Sequence, residues 1–240
     1  MRKIAVTFII FALLALSFGC TEDGDENKTP SAWLELEPPV AWIYDNGTAG
    51  FSYPEVTLNG NQSNDPDGRI SYYFYDFGEG NTTQGGQGEN QTNHEYQVAG
   101  HFEVSLEVED NDGAKDKASK ELTVNYEMNR GSGLLQSGDS ESEPFRVTEY
   151  SANNATIVLN ITNEDPLNPT ADARVSITNA ADQEVTSREV SGIQDYEVVI
   201  IELSKSDLGT SDPGEWEVLV ECTDGTIMYS CHLELYYKSW

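Results

Sequence analysis

Apolar and polar residues alternate along most of this chain in short runs separated by clusters of Gly, Asn, Asp and Ser, the pattern of strands joined by turns. The clearest run is His101–Glu109, where Phe102, Val104, Leu106 and Val108 share one face and charged or polar residues take the other. So strict an alternation predicts a strand with one face buried and one wet. Asp110-Asn111-Asp112-Gly113 then predicts a tight turn, because Asn and Gly tolerate positive φ, and Lys115–Asn125 returns as the partner strand. Upstream, Asn64–Gly68 is a second turn leading into the aromatic strand Ile70–Phe77, and Asn93–Val98 supplies another strand before Gly100.

Gly131-Ser132-Gly133 and Ser137–Glu143 have the Gly/Ser/acidic composition of a linker, so two units free to swivel are expected on either side of residues 127–143. Past the linker, candidate strands fall at Pro144–Tyr150, Ala155–Thr162, Ala173–Thr178, Glu184–Val190, Tyr196–Leu203, Glu215–Cys222 and Ile227–Tyr237. That spacing suits a second sandwich or jelly roll. Trp216, Val218, Val220 and Cys222 alternate with polar residues, Thr223–Thr226 turns, and Cys231, Leu233 and Leu235 alternate back, which predicts a closing hairpin. The expected fold is therefore all-β, with two Ig-like or jelly-roll β-sandwich domains in tandem at 35–126 and 144–240.

The start of the chain is different. Arg2 and Lys3 precede an apolar run from Ile4 to Phe18, with Gly19 and Cys20 at its end, the pattern of a secretory signal over residues 1–20. The run is shorter than the ~20 residues a membrane-spanning helix needs. Gly19-Cys20 resembles the lipobox of prokaryotic lipoproteins, with Ser17 at the position where that family favours Leu. The resemblance implies acylation of Cys20 and attachment to a membrane, after which residues 21–34, with almost nothing apolar from Thr21 to Pro30, are expected to serve as an acidic flexible spacer.

Composition narrows the picture further. A formal charge of −29 opposes nucleic acid as a partner. The same acidity reads as a solvated surface, since 38% hydrophobic and 10% aromatic residues suffice for packed cores. With Cys20 acylated, Cys222 and Cys231 remain, an even number in an exported chain, and a disulfide between them is expected, with two free thiols as the alternative. Asn27, Asn46, Asn61, Asn81, Asn90, Asn154 and Asn160 each open an Asn-x-Ser/Thr sequon and are glycosylation candidates.

One ordered set of motifs runs through the first domain: Asn64-Asp65-Pro66-Asp67-Gly68, then Tyr75-Asp76-Phe77-Gly78-Glu79-Gly80, then His94-x-Tyr96, then Gly100-x-Phe102-x-Val104-x-Leu106-x-Val108. This set resembles the PKD domain, whose hallmark is a Trp-Asp-Phe-Gly-Asp-Gly run. Tyr75 and Glu79 stand at the family's Trp and Asp, and Ile43–Tyr53 is longer than the family norm. The resemblance implies an immunoglobulin-like sandwich with an extracellular binding or spacer role, Tyr75 and Phe77 in the core, Gly78 and Gly80 as special backbone conformers and Tyr96 as a corner tyrosine. It also raises calcium as a possible ligand, at Asp65, Asp67 and Asp76 if these converge at one end of the sandwich; the other reading of Asp-Pro-Asp-Gly is an ordinary turn. In the second domain, Phe145-Arg146-Val147, Ala173–Ile177 and Gly214-x-Trp216-x-Val218-x-Val220 resemble the prepeptidase C-terminal domains of secreted proteases.

Catalytic signatures do not emerge. His94, His101 and His232 are the only histidines, each in a structural context, and no His-Glu-x-x-His, Gly-x-Ser-x-Gly or phosphate loop occurs. The expectation is a non-catalytic, lipid-anchored cell-surface module that binds an extracellular protein or glycan or acts as an envelope spacer. The alternative is a secreted polymer hydrolase with paired carboxylates, or its detached substrate-binding domain.

Overall fold

The computed structural model describes residues 26–80, 82–131, 133–149, 152–209 and 213–238. The leader, Cys20 and the sequon at Asn81 lie outside them. Nearly all of the described chain that is regular is strand. In the first unit these are β1 (Glu35–Glu37), β2 (Val40–Asp45), β3 (Phe51–Ser52), β4 (Glu55–Asn59), β5 (Ile70–Asp76), β6 (Thr82–Gln87), β7 (Gln91–Glu95), β8 (Gly100–Asp110) and β9 (Lys115–Gly131). The second has β10 (Leu135–Gln136), β11 (Ser140–Val147), β12 (Asn154–Asn163), β13 (Ala171–Thr178), β14 (Glu184–Ile193), β15 (Tyr196–Ser204), β16 (Gly214–Asp224) and β17 (Thr226–Tyr236), with a single helical turn at Lys205–Leu208.

Each unit is a sandwich, and the two share a layer. A three-stranded sheet β1-β4-β7 covers the first unit and a four-stranded sheet β11-β16-β13-β14 the second. Behind both runs one ten-stranded sheet in the order β15-β12-β17-β9-β8-β5-β6, with β2, β3 and β10 alongside. The alternation in sequence explains the layering: in β8, Phe102, Val104, Leu106 and Val108 are buried, and in β16, Trp216, Val218, Val220 and Cys222 are buried. They join one continuous apolar core.

The connection between the units differs from the flexible linker expected at 127–143. Strand β9 continues past Asn125 to Gly131, spanning roughly 55 Å. Its first part pairs with β8, and Tyr126–Gly131 pairs antiparallel with Leu235–Ser230 of β17. Met128 is fully buried in that stretch, and β11 begins at Ser140 inside the expected linker. The apolar alternation Tyr126-x-Met128 outweighs the Gly and Ser that follow, because its buried face is completed by a strand about a hundred residues later.

Two further expectations change. Much of the described part of the spacer is bound rather than loose: Asn27 Nδ2 donates to Asp110 Oδ2 (2.9 Å), Ser31 pairs with Asn64, and the Ala32 amide donates to Asp116 Oδ2 (2.8 Å). The last two strands form no hairpin. β16 pairs with β11 and β13, whereas β17 pairs with β12, β9 and β10, so the chain crosses between sheets at Gly225, where a φ of +79° and a close approach to Ala171 make any side chain strained. Strands alternating with the same period pack as well face to face across a core as side by side, and the alternation alone does not separate the two.

Candidate functional site

The PKD-like motifs are structural, as the resemblance implies. Tyr75 and Phe77 are buried, and Gly78 and Gly80 adopt φ of +80° and +78°. A Cβ on Gly78 would lie 2.8 Å from the Glu103 carbonyl oxygen, so the turn requires glycine. Tyr96 is fully buried and its hydroxyl donates to the Phe77 carbonyl (3.0 Å), while His94 stacks on the Phe77 ring and reaches Glu79 (2.6 Å). His101 hydrogen-bonds Thr123 and His232 hydrogen-bonds Asn129.

The three calcium candidates do not converge. Asp65 and Asp67 sit in the turn before β5, and Asp76 ends that strand, about 20 Å away. Asp65 Oδ1 accepts from the Asp67 amide, Asp67 Oδ2 from the Lys28 amide and Asp76 Oδ1 from the Gly78 amide. Asp65 and Asp76 cap their own turns, and Asp67 ties down the segment at Lys28. No group of three or more His, Cys, Asp or Glu side chains among the described residues has metal-binding geometry.

Nor are Cys222 and Cys231 bridged. Both are buried free thiols, one on β16 and one on β17, in different sheets. Cys222 Sγ donates to the carbonyls of Asp224 and Gly225. The sheet crossing at Gly225 replaces the hairpin that would have carried the bridge. Of the sequons, Asn46, Asn61, Asn154 and Asn160 are exposed and Asn90 is half-buried, with Asn154 and Asn160 on the outer face of β12 rather than in loops. Asn27 is tied to Asp110.

A concave feature lies where the units meet. A cleft of about 750 Å³, within the range of ligand sites, has Ile43, Asp45, Tyr126 and Arg130 in its lining where β2 and β9 run side by side. Below it is a buried polar cluster. Arg130 Nη2 and Tyr126 Oη both donate to Asp45 Oδ2 (2.8 and 2.9 Å), and Tyr229 Oη donates to Glu143 Oε1 (2.9 Å), with Arg130 Nε 3.8 Å from Glu143 Oε2. Burial raises the Glu143 carboxyl above its usual pKa, opposed by the Tyr229 hydrogen bond.

One wall comes from the stretch that is long for a PKD domain. Asp45 Oδ1 accepts from the Gly47 amide, a 3₁₀ turn follows, and β3 then brings Phe51 and Tyr53 to the same side, two residues apart on extended chain. Their rings are exposed, parallel within 10° and 5.8 Å apart. Pro144–Glu149, Pro213–Glu215 and Gln97–Ala99 complete the lining. Thr148 Oγ1 donates to the Ala99 carbonyl (2.7 Å), tying two of these lining segments together. Sequence reasoning gave no binding role to Asp45, Phe51, Tyr53, Arg130, Arg146, Glu149 or Glu215. Only Phe51-x-Tyr53, two aromatics at strand period inside an unusually long segment, carried a local signal.

The architecture is thus that of a two-sandwich, nearly all-β protein with a junction cleft. Residues 37–125 match the family model described as PKD domain. The chain is 37% identical over 98 residues to collagenase ColA of Clostridium perfringens, covering 41% of this chain and 8% of that protein. It is 29% identical over 106 residues to collagenase ColQ1 of Bacillus cereus, covering 44% and 10%. Among solved structures, the PKD1 domain of Vibrio anguillarum Epp is 30% identical, covering 41% of this chain and 96% of that domain, with a TM-score of 0.31. The matches therefore span a tenth or less of either collagenase. No helix among the described residues is long and apolar enough to cross a membrane.

Proposed function

We propose that the protein is an exported surface module, attached to the membrane through acyl chains on Cys20, that binds an extracellular protein or glycan in the junction cleft and performs no chemistry of its own. The cleft carries this reading: it is concave, and it presents an exposed aromatic pair beside a few polar groups. Its lining draws on strands of both the ten-stranded sheet (β2, β3 and β9) and the four-stranded sheet (β11 and β16). Attachment rests on the Gly19-Cys20 pattern, and each buried methylene of an acyl chain would contribute about 0.8 kcal/mol. The test has two arms. Mass spectrometry of the native protein should give a diacyl or triacyl Cys20 as the first residue. Pull-down from solubilised envelope should enrich a ligand that is lost with Phe51→Ala/Tyr53→Ala; an unacylated chain ends the anchoring part, and undiminished capture by the variant ends the cleft part.

A second reading is favoured by the identity to two collagenases: an accessory module serving a secreted polymer hydrolase. On that reading the purified chain binds insoluble fibrous protein without releasing peptides from it. Release of peptides would make it an enzyme and end both readings.

A further inference from the structure

The occupant of the cleft can be narrowed, on the reading that the cleft is the binding site. Three observations bear on its chemistry. The first is the parallel pair Phe51 and Tyr53, with Phe51 55% and Tyr53 36% exposed, which places aromatic surface in the lining that also holds charged groups. Parallel ring faces offer weakly negative, flat apolar area. They suit a partner that is flat and apolar on one face and carries weakly positive C–H groups there.

The second is the polar lining. Arg146 stands opposite Glu215 in the β11–β16 register, and both are exposed, as are Glu149 and Gln97. Together they offer carboxylate acceptors, a guanidinium fork and an amide that both donates and accepts, which is the complement of vicinal hydroxyls. With the Asp45–Arg130 pair counted, three carboxylates against two guanidiniums line the cleft, and on a chain of formal charge −29 that balance disfavours an anionic ligand.

The third concerns the backbone. β11 is an edge strand and lines the cleft, the position at which an extended peptide adds to a sheet as another strand. Pro144 sits in the middle of that edge, opposite Glu217. A proline has no N–H to give to β16, so its nitrogen faces the open side and removes a donor that an added strand would need. The Thr148 amide, in the same alternation, is taken by the Tyr237 hydroxyl (3.0 Å).

We propose that the cleft binds a neutral glycan chain, with the C–H face of a pyranose stacked on Phe51 and Tyr53 and its hydroxyls held by Arg146, Glu149 and Glu215. Calorimetric titration of the full chain tests this with neutral linear hexasaccharides of β-linked glucose, xylose and mannose, a hexauronate, and a collagen-like triple-helical peptide. Expected is binding of at least one neutral hexasaccharide, weakened about tenfold or more by Phe51→Ala/Tyr53→Ala and several-fold by Glu215→Gln. The thermal midpoint of each variant is measured alongside, and Phe51→Leu/Tyr53→Leu keeps the apolar bulk if the alanine protein fails to fold. Three results overturn the proposal: no binding by any neutral glycan, binding unaffected by the aromatic substitutions, or preference for the hexauronate. Binding of the peptide alone, lost with the aromatic substitutions, also overturns it while leaving the cleft as the protein's binding site.

Discussion

Arg130 and Asp45 lie 85 residues apart and meet at 2.8 Å where β9 leaves the first sandwich and enters the second. Asp45 is buried and also accepts from Tyr126, so its charge is balanced chiefly by one guanidinium. Removing one partner of a buried pair leaves an uncompensated charge and costs about 3 kcal/mol or more. Arg130→Ala should therefore lower the urea midpoint of the whole chain in a single transition. Asp45→Asn/Arg130→Met, which removes both charges, should lose much less. Equal losses in the two variants would mean the pair contributes nothing specific.

A pH dependence follows from the other side of the same cluster. Glu143 is buried beside Tyr229, with Arg130, Asp45 and Glu141 around it, and burial holds its pKa above the usual 4.5. The folded state then binds this proton more tightly than the unfolded state. Its contribution favours folding at low pH and declines as pH rises from 4.5 through the raised value. Glu143→Gln keeps an acceptor for Tyr229 and removes the titration. Measured by denaturant unfolding, the stability of the variant relative to the native protein should increase as pH rises through that window. A difference that stays flat from pH 4 to 8 would show that the carboxyl is not perturbed.

Much of this architecture was legible in the sequence because local alternation is a strong signal. The expected strands His101–Glu109, Ala155–Thr162 and Tyr196–Leu203 fall inside β8, β12 and β15. What alternation does not encode is which sheet a strand joins. Val218 and Tyr229 have the same inward phase whether their strands pair or face each other, which is why a hairpin was expected where the chain crosses the core. The candidate site was less legible still. Phe51, Arg130 and Glu215 belong to three segments brought together by pairings of β2 with β9 and β11 with β16, and no local spacing announces such a meeting.

The corner tyrosine gives a smaller, cleaner test. Tyr96→Phe deletes the hydroxyl that donates to the Phe77 carbonyl and leaves that buried acceptor unpaired, with little change in shape. The expected loss is about 1–2 kcal/mol. It should be read by chemical denaturation, and a loss indistinguishable from zero would indicate that water or another donor replaces the hydroxyl.

The two remaining thiols offer the sharpest contrast between sequence and structure. An even pair of cysteines in an exported chain suggests a bridge, yet Cys222 and Cys231 are free and buried at 1% exposure each, on strands of opposite sheets. Burial pushes the Cys231 thiol up to about 12 and raises Cys222 as well, so at pH 8 neither supplies appreciable thiolate. A thiol-reactive chromogen should accordingly label almost nothing in the native protein. Under denaturation without reductant, with Cys20 acylated, it should label two thiols per chain, and mobility on a denaturing gel should be the same with and without reductant. Labelling of none until reductant is added would mean that the strands carrying these residues are covalently joined, and the sheet crossing at Gly225 would then have to be redrawn as the hairpin that the alternation first suggested.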